Sequence, residues 1–358
     1  MLNILKKLAV ISALIFLTGC EDSLIEMGFS QPVIQNTVNK AEVSEEDIYN
    51  GIVESLENMT MVSEHKKELD SDTVSGIIEK VRIEHPEFFW IDGCTITTSV
   101  GKSEIKINII DGCSVDEVES MFEEFVAYAN TLITHIPSGL DDYSKVVFVH
   151  DYIVNNTTYD TAGAENDKNG LWGTAYGCLV QKKAVCQGYA QAFQYIMNRL
   201  DIECGICRGD SIQGRHAWNY VNLNGKYYWI DVTWDDPVSE NSGSEMLTHT
   251  YCLIDDEHLF RTRYTDSDLD FVPHCYSMDN NYYVRNGLYL AYYSDEEISA
   301  ILNNYSSFGE AEIMFANKDS YLEAISRLFD NGGIWDFISS EEVTYTNDDV
   351  MYILKIKY

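Results

Sequence analysis

The stretch Ala184-Val185-Cys186-Gln187-Gly188-Tyr189-Ala190, followed by His216-Ala217-Trp218-Asn219 and Asp231-Val232-Thr233-Trp234, decides how this chain is read. A thiol, an imidazole and a carboxylate stand in that order, each where local structure can be argued. Val185 to Leu200 contains no proline and a single glycine, Gly188. Tyr189, Phe193, Ile196, Met197 and Leu200 recur at spacings of three and four, the mark of one buried helical face. Cys186 falls in the first turn of that helix, just after the loop residues Gln181 to Lys183. There the helix dipole and the free amide groups favour a thiolate. A small buried hydrophobe at a packed helix start is the plainer account of Cys186 taken alone.

The imidazole and the carboxylate shift that balance. Residues 216–222 and 226–233 read as two strands around Asn224-Gly225, the strongest short hairpin signal. With a two-residue turn, Leu223 pairs with Lys226 and Trp218 faces Asp231. His216 is then diagonal to Asp231, with Cβ atoms about 7–8 Å apart. With a four-residue loop, Val221 pairs with Lys226 and His216 stands directly opposite Asp231. Either register puts both side chains on one face, whereas a slip of one residue separates them. Asp231 can then hold one ring nitrogen of His216 and leave the other for the proton of Cys186.

From about Tyr143 to Pro237 the chain resembles the transglutaminase-like superfamily, whose core has the papain-like α+β layout. The helix Lys145 to Ile153, ending near Tyr159-Asp160, carries the first part of the resemblance. Tyr176-Gly177-Cys178-Leu179-Val180, the cysteine helix, Cys204-Gly205-Ile206-Cys207, and the histidine and aspartate blocks carry the rest. The resemblance implies Cys186 as nucleophile, His216 as general base and acid, and Asp231 as the orienting carboxylate. The backbone amide of Cys186 and the side chain of Tyr176 are then the candidate oxyanion donors. Trp218 and Trp234 are candidates for a substrate groove, with core packing of strand aromatics as the alternative. Gln181 reads as a loop residue. Nothing here resembles the calcium-dependent accessory domains of animal transglutaminases, so crosslinking does not carry over, and no cofactor is implied.

Around that core, the composition sets an address. Lys6 and Lys7 precede an apolar run from Leu8 to Leu17, and Leu17-Thr18-Gly19-Cys20 closes it. This has the shape of a bacterial secretory signal ending in a lipoprotein processing box, with lipid joined to Cys20. The expected location is the outer face of the cell membrane, at a bacterial cell surface. Residues 1–19 are then a signal peptide and 20–44 a flexible tether. A small α+β region is expected at 45–140, the catalytic core at 141–275 and a second α+β region at 276–358. Helices are expected from Ser44, over Thr73 to Ile83, over Val115 to Ile133, over Ser294 to Asn304 and over Tyr321 to Phe329. Strands are expected over Thr95 to Ile110, Glu310 to Phe315 and Val350 to Ile356.

The formal charge of −34 makes nucleic acid an unsuitable partner, because phosphates would be repelled. Acidic pairs such as Asp235-Asp236 lack the ordered spacing of a calcium loop. Cys204 and Cys207 form a C-x-x-C without a second pair, on opposite faces of a strand, so no metal site is read from it. Nine cysteines, less Cys20 and Cys186, leave an odd seven, which does not suit a disulfide framework. The reading is a lipid-anchored cysteine acyl-transfer enzyme acting on a protein or peptide amide through a thioester. A catalytically silent surface binding module and a wall-peptide amidase are the alternatives.

Overall fold

Helix starts in this chain follow local capping chemistry. Ser44 and Asp47 form a capping box at the helix Glu45–Glu57, and Ser114 and Glu117 form another at Val115–His135. Asp70 caps Ser71–Glu84 and Asp141 caps Asp142–Asn156 through their carboxylates. The cysteine helix, Cys186–Arg199, departs from this pattern: its N-cap is Val185, with no side-chain cap. The end of the helix that bears the thiol is thus left uncapped by any neighbouring side chain.

The computed structural model describes residues 43–165, 170–236, 247–267 and 271–358. The expected signal, Cys20 and the tether up to residue 42 lie outside the described residues. No helix among the described residues is long and apolar enough to cross a membrane. Strands β1 (Val62–His65), β2 (Ile91–Ser99) and β3 (Lys102–Ile109) form an antiparallel sheet in the order β1-β3-β2. The helices Glu45–Glu57 and Ser71–Glu84 bury Ile48, Ile52, Val74, Ile77 and Val81 in the same core. A short parallel pair follows, β4 (Thr158–Tyr159) with β5 (Lys183–Ala184), which brings the end of the helix Asp142–Asn156 beside the approach to Cys186.

The central sheet is antiparallel. Its strands are β6 (Cys204–Ser211), β7 (Gly214–Leu223), β8 (Lys226–Ile230), β9 (Cys252–Ile254) and β10 (Arg263–Thr265), in the order β10-β6-β7-β8-β9. Leu223 pairs with Lys226, so the two-residue turn is the one adopted. Asn224 and Gly225 both take positive φ, 56° and 82°, as that turn demands. At the C-terminus β11 (Tyr289–Leu290), β12 (Glu310–Phe315), β13 (Thr344–Asp348) and β14 (Ile353–Lys357) form a sheet in the order β11-β12-β14-β13. The helix expected at Ser294 runs Asp295–Asn304 with Ser294 as its cap, and the one expected at Tyr321 starts earlier, Lys318–Ile325. The strand expected from Val350 begins at Ile353, because Asp349 to Tyr352 form the turn out of β13.

The central sheet divides two apolar cores with the period of two that strands impose. Cys204, Val221, Leu223, Tyr228 and Ile230 face the core shared with the cysteine helix and the N-terminal elements. Cys207, Trp218 and Trp229 face the core built with the C-terminal sheet. Cys204 and Cys207 therefore do lie on opposite faces. The eight cysteines among the described residues are all free thiols.

Close approach of the backbone at Gly188 holds the thiol end of the cysteine helix. A Cβ there would stand 2.8 Å from the Ala184 Cβ and the Trp172 carbonyl oxygen, and 2.9 Å from the Thr174 carbonyl oxygen. Gly188→Ala is expected to destabilise by about 1–3 kcal/mol in urea unfolding and to slow alkylation of Cys186, because the helix must shift. Gly76, mid-helix with nothing within 4 Å of an added Cβ, should behave oppositely: Gly76→Ala stabilises by about 0.5–1 kcal/mol.

Candidate active site

Cys186 packs against Ala190, Ile206 and Ala217 at the place where the cysteine helix meets β6 and β7. His216 lies near the start of β7 and its Nε2 is 2.8 Å from Oδ2 of Asp231, which follows β8. The Cys186 side chain lies close enough to the same ring to raise its pKa. With Nε2 given to Asp231, Nδ1 is the nitrogen left to the sulfur. Thiol, imidazole and carboxylate thus converge, although they come from three elements.

Electrostatics bind the three into one unit. Burial alone pushes the His216 ring down in pKa. The Asp231 charge and hydrogen bond, with those of Cys186, outweigh burial and hold the ring at about 9. Asp231 is fully buried. Burial would raise its carboxyl, but the charges of His216 and Arg263 and their hydrogen bonds hold it well below the usual carboxylate range. A protonated ring beside sulfur is the arrangement that stabilises a thiolate.

Arg263 was not singled out in the sequence and is the chief addition here. Its Nε donates to Asp231 Oδ2 at 3.0 Å, its Nη2 donates to the same oxygen, and its Nη1 donates to Thr262 Oγ1 at 2.6 Å. The guanidinium is fully buried between Trp234, at 3.8 Å, and Tyr251, at 4.2 Å from the ring centroids. The remaining carboxylate oxygen, Oδ1, accepts from the Trp234 amide at 3.2 Å. A buried arginine on strand β10, 32 residues beyond Asp231, leaves no local pattern by which it could be read.

Two cavities open beside Cys186 and His216. One of about 300 Å³ is lined by Cys186, Gln187, Trp172, Phe89 and Arg82, among others. The other, about 420 Å³, is lined by His216, Thr233, Trp234, Ser211 and Asp236. Tyr159 and Arg215 belong to both walls. Burial, then the charges of Cys186 and Asp231, push the Tyr159 hydroxyl up to about 12, so it stays a neutral donor.

Trp234 lies on a cavity wall. Trp218 does not: it is 1 % exposed, in the core behind His216, with its ring stacked 5.9 Å away from the imidazole. Tyr176 needs correction as an oxyanion candidate. Its hydroxyl donates to Glu124 at 2.7 Å and its ring stacks on Phe89, and it is not among the residues lining either cavity. Gln181 is exposed in the loop before β5.

A largely buried polar chain adjoins the segment that bears Asp231. His150 Nε2 meets Asp235 Oδ2 at 3.1 Å, its Nδ1 meets Asp151 Oδ1 at 2.9 Å, and His249 Nε2 meets that same oxygen at 2.9 Å. The Asp235 amide donates to the Asp231 carbonyl at 3.2 Å, which joins this chain to the segment bearing the triad aspartate. Burial lowers the His150 ring, but hydrogen bonds and charge from Asp151 and Asp235 raise it to about 9.

Residues 131–233 match the family model described as Transglutaminase-like superfamily, and that segment carries a transglutaminase-like domain. The superfamily is one of cysteine-dependent hydrolases and acyltransferases. Kyphoscoliosis peptidase of Homo sapiens is 27% identical over 169 residues, covering 38% of this chain and 25% of the relative. The Mus musculus protein of that name is 27% identical over 137 residues, covering 32% of this chain and 20% of its own. The matched part therefore spans about a quarter of the human relative's length. A solved structure of a TGase is 16% identical with a TM-score of 0.30, covering 57% of this chain and 60% of the other.

The raised ring of His216 has a consequence for stability. The shift is upward from an ordinary 6.5, so its contribution is complete below pH 6.5 and is lost as pH rises through about 9. Asp231 is shifted the other way, and its contribution is lost only as the solution becomes strongly acid. Urea unfolding followed from pH 6 to pH 10 is expected to weaken across the window from 6.5 to about 9. His216→Gln should flatten part of that fall. An unchanged slope in the variant would contradict the assignment.

Proposed function

We propose that this protein is a lipid-anchored, extracytoplasmic cysteine acyl-transfer enzyme that acts on peptide or side-chain amides. The observation that carries the reading is the convergence of Cys186, His216 and Asp231 beside two open cavities. Lipid attachment at Cys20 rests on the leader sequence alone.

In this reading the Cys186 thiolate attacks the amide carbonyl carbon, and the carbonyl π electrons move to oxygen. The tetrahedral adduct collapses, the C–N bond breaks, and imidazolium His216 gives its proton to the departing amine. A thioester on Cys186 remains. Water, deprotonated by His216, then attacks it to release the acid and regenerate the thiolate. A primary amine at the same step gives transamidation instead. Asp231 holds the ring through both steps and stays ionised. The Cys186 amide and the Tyr159 hydroxyl are the proposed oxyanion donors, since Tyr159 walls both cavities.

Two cavities sharing a wall suit a substrate that runs across the sulfur, with an acyl side and an amine side. Hydrolysis is the favoured outcome, because water is always present and no amine site can be named. The likeness to Kyphoscoliosis peptidase agrees with this choice.

The test is a broad peptide library incubated with purified protein, with and without an added primary amine, and read by mass spectrometry. Cleavage or deamidation is expected, with amine incorporation as the lesser product. Cys186→Ala or His216→Ala should lower turnover by roughly a thousand-fold or more, and Tyr159→Phe by about a hundred-fold. Products formed equally by Cys186→Ala would overturn the proposal.

A further inference from the structure

His150, Asp151 and His249 present three donor atoms to one point. One ligand atom from each lies within 4.8 Å of those of the other two, and Asp151 Oδ1 stands 2.9 Å from both His150 Nδ1 and His249 Nε2. Consecutive residues of a helix do not ordinarily face each other. Here His150 and Asp151, both in the helix Asp142–Asn156, turn toward the same space, and His249 arrives there from a segment 98 residues on.

The surroundings are those of a built site. His150 is fully buried, and its second ring nitrogen is held by the equally buried Asp235 at 3.1 Å. A ligating histidine usually carries such a carboxylate on its far nitrogen, which fixes the ring and its tautomer. Asp235 is itself fixed by the Tyr251 amide at 3.0 Å and the Thr248 hydroxyl at 3.1 Å. The His249 ring lies flat on Tyr282, centroids 3.5 Å apart and planes 2° from parallel. The Asp151 side chain is 34% exposed, which gives one open side.

We propose that these three side chains bind a divalent first-row transition ion, with Asp235 orienting His150 and water completing the coordination. Two imidazoles with one carboxylate suit such an ion better than calcium or magnesium, which prefer all-oxygen shells. Tetrahedral ligands around zinc stand about 3.3 Å apart. The two contacts of 2.9 Å therefore open by only a few tenths of an ångström when the ion replaces the shared protons. The role is structural. The ion ties the helix Asp142–Asn156 to the segment after β8, whose Asp235 amide bonds the Asp231 carbonyl. The proposal stands apart from the acyl-transfer reading and survives its failure.

The experiment uses full-length Cys186→Ala protein, so that the triad thiol takes no metal, stripped with a chelator and titrated calorimetrically with Zn²⁺. One ion per chain is expected, unaffected by excess Ca²⁺ or Mg²⁺. His249→Ala should weaken binding by about a hundred-fold or more, and Asp235→Asn by about 10- to 100-fold. Zinc-edge X-ray absorption on the loaded Cys186→Ala protein needs no change at the site and should show nitrogen and oxygen neighbours alone. Absence of stoichiometric uptake, equal affinity in His249→Ala, or a sulfur shell from a thiol such as nearby Cys252 would each overturn the proposal.

Discussion

A single buried carboxylate organises this molecule's chemistry. Asp231 is removed from water entirely, and removal of that kind is tolerated only when opposite charge and hydrogen bonds replace hydration. Arg263, His216 and the Trp234 amide supply them. Arg263 offsets the negative charge, so His216 need not neutralise Asp231 alone. The histidine is thereby oriented toward the sulfur with its proton kept. Replacing either cation would leave a buried charge half-paired, which typically costs about 3–5 kcal/mol. In the proposed reaction the contacts that stabilise this carboxylate would also orient the imidazole.

That carboxylate can be buried because the central sheet separates two cores. One face receives the cysteine helix and the N-terminal sheet, and the other receives the C-terminal sheet. Strand β10 lies at the edge beyond β6 and delivers Arg263. Gly209 permits this, since a Cβ there would fall 1.9 Å from the Tyr264 carbonyl oxygen. The C-terminal region thus does more than decorate the core, because it closes the side of the sheet against which Trp218 and Trp229 pack.

Much of this was legible in the chain because short-range rules governed it. Asn224-Gly225 marks the hairpin, and either loop length carries His216 and Asp231 to one side by the period of two; the structure adopts the two-residue turn. The three- and four-residue spacing after Cys186 places the thiol at a helix start. The capping residue Ser44 announced its helix, whereas the capping roles of Ser114 and Ser294 emerge from the structure. What escaped depends on contacts between distant segments. Arg263 and His249 have no local signature, and the direction of the Tyr176 hydroxyl follows from Glu124, 52 residues before it. Trp218 and Trp234 look alike in sequence, yet only Trp234 reaches a cavity wall, because Trp218 lies on the covered face of β7.

Asp231, His216 and Cys186 act as one electrostatic unit. The most direct test is the rate of Cys186 alkylation by iodoacetamide as a function of pH, in the native protein and in His216→Asn and Asp231→Asn. The account predicts that native protein reacts at pH 6 at least about tenfold faster than His216→Asn, with Asp231→Asn between them. Superimposable profiles for all three proteins would contradict it.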